Sequence, residues 1–222
     1  MPSLADTFRA LVDITASGIV GSTVLATGQQ ALAGWLLAAA IGCGLGLLAG
    51  HVDAVGDAVA PLATMVFATP PIVWVVLALL WFGPGSIEPM FTVVMSTFPI
   101  IFASCLQGVR GRDKLLDEMA STFNVPRMQH TVDVVLPQVW AQVLPALATT
   151  IAYAWKVAIM AEMLGGGTGL GGQLATARAN LDMPEMMAWI SVILALVLVC
   201  DGLLLMPFRR YLNTRFNTLK LR

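Results

Sequence analysis

Charged side chains are scarce here: they make up 11% of the 222 residues, against 58% hydrophobic ones, and the mean hydropathy is +0.82. A soluble domain covers itself with roughly 25% charged residues, so a chain bathed in water on all sides is excluded. The net charge of -1 supplies no field that would attract nucleic acid. Cysteine is limited to Cys43, Cys105 and Cys200, each inside an apolar run without C-x-x-C spacing, which excludes a disulfide framework. The two histidines, His51 and His130, stand apart and form no ligand cluster, so no metal site is assigned. The phosphate-loop pattern G-x-x-x-x-G-K-[ST] is absent, and no nucleophile–base constellation lies in the apolar segments. The reading is a non-enzyme with no catalytic residues and no cofactor of its own.

What is present is a series of apolar stretches, each near the ~20 residues needed to cross about 30 Å of hydrocarbon. They run from about 31 to 50, 59 to 82, 90 to 106, 139 to 164 and 187 to 208. Backbone in lipid must satisfy its own hydrogen bonds, so the expected fold is all-α, a polytopic bundle of about five transmembrane helices. Gly42, Gly44, Gly46 and Gly50 offer a close helix approach in the first span. Pro70 and Pro71 should break or kink the second. Residues 1–30 contain Asp6, Arg9 and Asp13 and read as an N-terminal interfacial amphipathic segment, with a further span over residues 14–26 left open. Residues 31–222 then form a single membrane domain.

Basic residues set the orientation. Arg110, Arg112, Lys114 and Arg127 lie between the third and fourth spans, and Arg209, Arg210, Arg215, Lys220 and Arg222 follow the fifth. Both groups should face the cytoplasm, with the N-terminus outside and the C-terminus inside. The stretch GTGLGG, Gly167 to Gly172, fits the dinucleotide spacing G-x-G-x-x-G. It follows a membrane helix and belongs to no βαβ unit, so it reads as a flexible outward-facing turn or gate-like loop.

The largest segment outside the spans is the loop 107–137. Leu115, Leu116, Met119 and Phe123 recur at helical spacing and predict a short amphipathic helix closing near Asn124, a residue that tolerates the left-handed conformation. Pro126 suits the start of a second short helix carrying Val132, Val134, Val135 and Leu136 up to Pro137.

Within this loop Glu118, Ala120, Asn124, Val134, Leu136 and Pro137 resemble the EAA loop of permease subunits of bacterial ATP-binding-cassette importers. That pattern reads EAA, three residues, Gly, nine residues, Ile, x, Leu-Pro. This chain departs from it at Met119, Asn124 and Val134. Two further segments, ATPPIVWVVLALLWFGPG from Ala68 and AWKVAIMAEMLGGGTGLG from Ala154, look like the nitrate, sulfonate and taurine branch. The resemblance covers nearly the whole chain from about Thr23. It implies a bacterial inner-membrane protein whose loop couples to separate ATPase subunits, which bind the ATP. It also implies a second permease subunit, a homodimer by expectation, and a periplasmic or lipoprotein solute-binding protein. Six spans are usual in that branch, and five also occur among related permeases. The other reading of the charges is a stand-alone channel or ion-coupled carrier, which leaves the loop without a purpose.

Ionisable residues inside spans are costly and so draw attention. Lys156 lies 19 residues after Pro137, about 28 Å along an ideal helix, with Glu162 six residues beyond. Both are assigned to a translocation pathway. Asp201 reads as structural.

Overall fold

The computed structural model describes residues 3–200 and 202, and among these every regular element is helical. In chain order they are α1 (Leu4–Ala16), α2 (Ile19–His51), α3 (Asp53–Ala68), α4 (Pro71–Phe82), α5 (Ile87–Arg110), α6 (Lys114–Thr122), α7 (Arg127–Gln129), α8 (Leu136–Gly165), α9 (Leu170–Ala179) and α10 (Met183–Cys200), with a π-helical stretch, His130–Val135, joining α7 to α8. Asp201 and the basic residues from Arg209 onward lie outside the described residues.

α2, α5 and α8 form the centre. Gly34, Gly42, Gly46 and Gly50 of α2 meet Met90, Ile101, Cys105 and Val109 of α5 in that order, so the two helices run parallel. The approach is close enough that a Cβ on Gly46 would stand 2.6 Å from the Cys105 Cβ and 2.9 Å from the Phe102 carbonyl oxygen. Gly44 points away, with nothing within 4 Å. α8 runs antiparallel to both: Gly108 of α5 packs on Val139, while the Trp35 indole N–H donates to the Thr150 hydroxyl at 3.0 Å and Thr27 reaches Glu162. The three helices close on a core of Ala31, Val93, Ala154, Val157 and Ala158. These small and β-branched side chains suit lipid, where packing rather than water exclusion holds helices together.

The parallel pairing decides the span count. Among the described residues four helices, or five spans if the pair α3 and α4 counts as one, are long and apolar enough to cross a membrane. α2 ends where α5 ends, so α3 and α4 must together carry the chain back to the start of α5. Their ends agree: Arg110 pairs with Asp53 at 3.4 Å at one end, and Leu79 lies near Gly165 at the other. The pair is one span broken by a 96° bend. The break falls at Thr69 and Pro70, where Pro70 is extended at ψ 139° and Pro71 fits the first helical turn, which leaves its missing N–H without consequence.

Two expected boundaries shift. The N-terminal segment 1–30 is not one interfacial helix. α1 ends at Ala16, Gly18 turns the chain at φ 72°, and α2 starts at Ile19, twelve residues before the expected start. Ser22, Thr23, Thr27, Gln29 and Gln30 make this stretch look polar, but Thr23 and Thr27 are buried and hydrogen-bonded. α1 itself carries a capping box: the Ser3 hydroxyl and amide donate to the Asp6 carboxylate and hold it below the usual carboxylate range. The second correction concerns the loop helix at Pro126. It does not stop at Pro137 but continues as one helical path from Arg127 to Gly165. The Leu136 N–H bonds to the Thr131 carbonyl, five residues back, and this wider turn makes room for the Pro137 ring that a tight α-turn would crowd.

Substituting Gly46→Leu should drive α2 from α5 and lower the melting temperature of the detergent-purified protein, at a cost of about 1–3 kcal/mol typical of overpacking. Gly44→Leu should leave it unchanged. Thermal denaturation of both variants checks this, and equal melting of the two would remove the close contact.

Candidate functional site

The residues singled out by sequence fall at the loop between α5 and α8, at a central cavity, and, for Glu162, at the glycine-rich corner. Asp113 caps α6, its side chain accepting the Leu115 N–H at 2.9 Å. The Gln138 amide oxygen accepts the Asp113 N–H at 2.8 Å, tying the start of α6 to the start of α8. His130 Nε2 lies 2.9 Å from Asp117 Oδ1, a second tie. At its far end α6 closes as a Schellman turn, with the Val125 N–H on the Ala120 carbonyl and the Asn124 N–H on Ser121. Asn124 takes the left-handed conformation at φ 51°, as its position after the helix requires.

Within this frame Ala120 is buried and Val134 half-buried, while Glu118, Asn124, Leu136 and Pro137 are exposed. The apolar stripe of α6 does not face the protein. Leu115 is 68% and Phe123 75% exposed, with Met119 also open. Outside the spans, an exposed run of large apolar side chains marks an interaction surface, for another protein or for the membrane.

The second place is a cavity of about 430 Å³ between the α3–α4 break, α5 and α8, lined among others by Phe67, Thr69, Ser96, Thr149, Tyr153 and Lys156. Thr149, Tyr153 and Lys156 recur every three to four residues and so share one face of α8. That stripe was legible in the sequence but only Lys156 was taken from it. Ser96, on α5, has a buried hydroxyl without a protein partner and carries no sequence signal. Phe67 and Ile100 also line a second cavity of about 320 Å³ that extends to Ser104 and Gln107. The two cavities thus share a wall and line up along α5, on the groove side of the bundle, toward the α6 end.

Glu162 does not line this groove. It is 1% exposed, and its Oε2 accepts the Thr27 hydroxyl and the Gly171 N–H, both at 2.9 Å. Thr27 in turn accepts the Leu170 N–H at 2.8 Å. The glycine-rich stretch is thereby anchored: Gly166 and Gly167 turn at φ 78° and 126°, and Gly169 to Gly172 pass into the buried helix α9, where any Cβ on Gly169 would strike the Glu162 carboxylate.

A broken span, a mostly apolar groove carrying a few polar side chains, and an exposed loop helix are the attributes of a helical membrane permease. The chain belongs to the family described as binding-protein-dependent transport system inner membrane component, which it matches over residues 42–218. A putative ABC transporter permease protein of Methanocaldococcus jannaschii is 27% identical over 89% of this chain and 72% of its own length. A putative aliphatic sulfonates transport permease of Bacillus subtilis is 25% identical over 84% and 67%. A taurine transport system permease of Escherichia coli is 24% identical over 68% and 55%. The fold matches a methionine ABC transporter captured in inward-facing conformations, with a TM-score of 0.71 at 16% identity, covering 90% of this chain and 97% of that one. The chain is thus an ABC importer permease subunit, a multi-pass membrane protein whose class works with an ATPase and a solute-binding protein.

The α6 turn gives a direct test. Asn124→Val places a β-branched residue at positive φ, costing roughly 1–2 kcal/mol, and should uncouple ATP hydrolysis from uptake in reconstituted vesicles. Asn124→Gly should keep them coupled. Equal behaviour of the two variants would remove the role of the left-handed turn.

Proposed function

We propose that this permease works as a pair, that each copy docks an ATPase subunit through α6, and that solute passes along the groove beside Lys156. The observation that carries this reading is the apolar face of α6, exposed at the end of the bundle where basic residues collect. Glu118, Ala120, Asn124, Val134, Leu136 and Pro137 form and position that surface: Ala120 seats the helix, Asn124 turns the chain, and the helical path through Leu136 and Pro137 passes movement of the loop directly into α8. ATP is held by the ATPase, and the solute arrives from an external binding protein. The positive-inside bias supports a cytoplasmic α6, with the N-terminus and the glycine loop outside. A stand-alone channel or ion-coupled carrier is less well supported, because it gives the exposed face of α6 nothing to bind.

Lys156 supports an anionic cargo. It lines the cavity together with the hydroxyl-bearing Ser96 and Tyr153, a set of donors suited to sulfonate or nitrate oxygens. The names of the sulfonate and taurine relatives, and of a nitrate import permease of Leptolyngbya laminosa, 27% identical over 67% of this chain and 53% of its own length, point the same way. Glu162 contributes by fixing the loop above the groove rather than by meeting solute.

The chain should co-purify with a phosphate-loop ATPase as a complex containing two permease subunits, seen by native mass measurement, and Met119→Glu should abolish that association. Lys156→Met, which keeps stem length and removes the charge, should abolish uptake of a radiolabelled sulfonate or nitrate by the assembled complex. Transport without any ATPase would overturn the docking role, and normal uptake by Lys156→Met would overturn the anion route.

A further inference from the structure

Glu88, the second residue of α5, lies outside both the α6 loop and the groove. It is 0% exposed, and neither carboxylate oxygen has a hydrogen-bond partner. Glu162 is nearly as buried, and its Oε1 is likewise without a partner. Both carboxylates converge on one loop. A Cβ on Gly165 would stand 2.6 Å from Glu88 Oε2, and one on Gly169 would collide with the Glu162 carboxylate. Both side chains thus flank the turn that closes α8.

The surroundings offer little to offset two negative charges. α4 and the glycine loop contain no ionisable side chain. α2 brings only Cys43 and His51, α3 only Asp53 and Asp57, and α5 itself Cys105 and Arg110, all toward the opposite end. α9 brings Arg178 at its far end, α10 Glu185 and Cys200, and α1 Asp6, Arg9 and Asp13. α8 brings Tyr153 and Lys156, which face the central groove; Lys156 is six residues before Glu162, about 9 Å along the axis. Glu162 has the Thr27 hydroxyl and the amide end of α9 to stabilise it as a carboxylate. Glu88 has no such donor, and a bare buried carboxylate beside another costs several kcal/mol.

We propose that Glu88 and Glu162 form an acid–carboxylate pair that binds one proton, held on Glu88, and that this proton fastens the glycine loop to the head of α5. The step is a simple protonation: an O–H bond forms on the Glu88 carboxylate with a proton taken from solvent at the loop end, and no other bond changes. The bound proton cancels one of the two charges and supplies the missing donor. Losing it leaves two like charges pressed on Gly165 and Gly169, which frees the loop. A metal ion fits less well, because among the described residues no group of three His, Cys, Asp or Glu gathers as metal ligands, and neither carboxylate lines the groove cavities. The loop that ends α8 is therefore a pH-responsive latch, distinct from the anion route at Lys156.

Thermal unfolding of the full chain in its ATPase complex tests this between about pH 5 and about pH 8, in sodium, potassium and choline salts. A carboxyl that keeps its proton in the folded state gives stability that is complete at low pH and lost as pH rises, until the folded group itself ionises. Wild type should therefore lose roughly 3 °C per pH unit more than Glu88→Gln, whose amide cannot titrate, and the cation should make no difference. Infrared spectra at neutral pH should show a protonated carboxylic acid band that shifts in heavy water, disappears in Glu88→Gln and survives in Glu162→Gln. Should Glu88→Gln fail to fold, the wild-type band alone decides. Absence of that band, identical pH slopes, or a melting temperature that follows sodium rather than pH would overturn the proposal.

Discussion

The structure depends on the contact between α2 and α5. Glycines at positions 34, 42, 46 and 50 let two backbones run parallel at a separation no side chain would permit. In lipid, where helices gain nothing from leaving water, such close packing is the main source of association. Parallel neighbours impose a connection that crosses the membrane, and the α3–α4 pair supplies it. The 96° break is then a necessary feature of a span that leaves a groove beside it. The same geometry separates the two functional ends: α6 lies beyond the close of α5, and the glycine loop lies beside its start.

Polar groups inside the bundle follow a complementary rule. With no water available, each needs a partner within the protein. Thr27 answers both Glu162 and the first amide of α9, and so converts a mobile-looking glycine run into a fixed corner. The dinucleotide-like spacing of GTGLGG arises from this corner: Gly167 supplies positive φ, Gly169 yields space to the Glu162 carboxylate, and Gly172 yields space to the Gly167 backbone. Among the described residues the exceptions are Gln30, Trp74, Ser96 in the groove, and Glu88 and one oxygen of Glu162 at the loop.

Much of this was legible in the sequence because it rests on local rules. Apolar length located the spans, Pro70 and Pro71 located the break, and Asn124 announced a left-handed turn. The start of α2 was hidden because Thr23 and Thr27 count as polar in a hydropathy sum although both are buried, Thr23 bonded to the Ile19 carbonyl of its own helix and Thr27 to Glu162. The continuous helix through Pro137 was hidden because a π-turn, which has no strong sequence signature, absorbs the proline ring. The direction of the α6 stripe was ambiguous, since periodicity shows that one face is apolar but not whether the protein or a partner covers it. Glu88 lies just before the expected span 90–106 and carries no sequence signal of its own. Only the approach of Gly165 and Glu162, about 75 residues away in the chain, gives it meaning.

The claim that the α2–α5 pairing places α6 and the glycine loop on opposite faces of the membrane can be tested by accessibility. In a chain with Cys43, Cys105 and Cys200 replaced, single cysteines would be introduced as Ser121→Cys in α6 and Thr168→Cys in the glycine loop, both at exposed positions. A membrane-impermeant maleimide applied to right-side-out and inside-out vesicles reads their sidedness. The account predicts labelling of position 168 only from outside and of position 121 only from inside. Labelling of both from the same side would contradict the five-span topology and everything built on it.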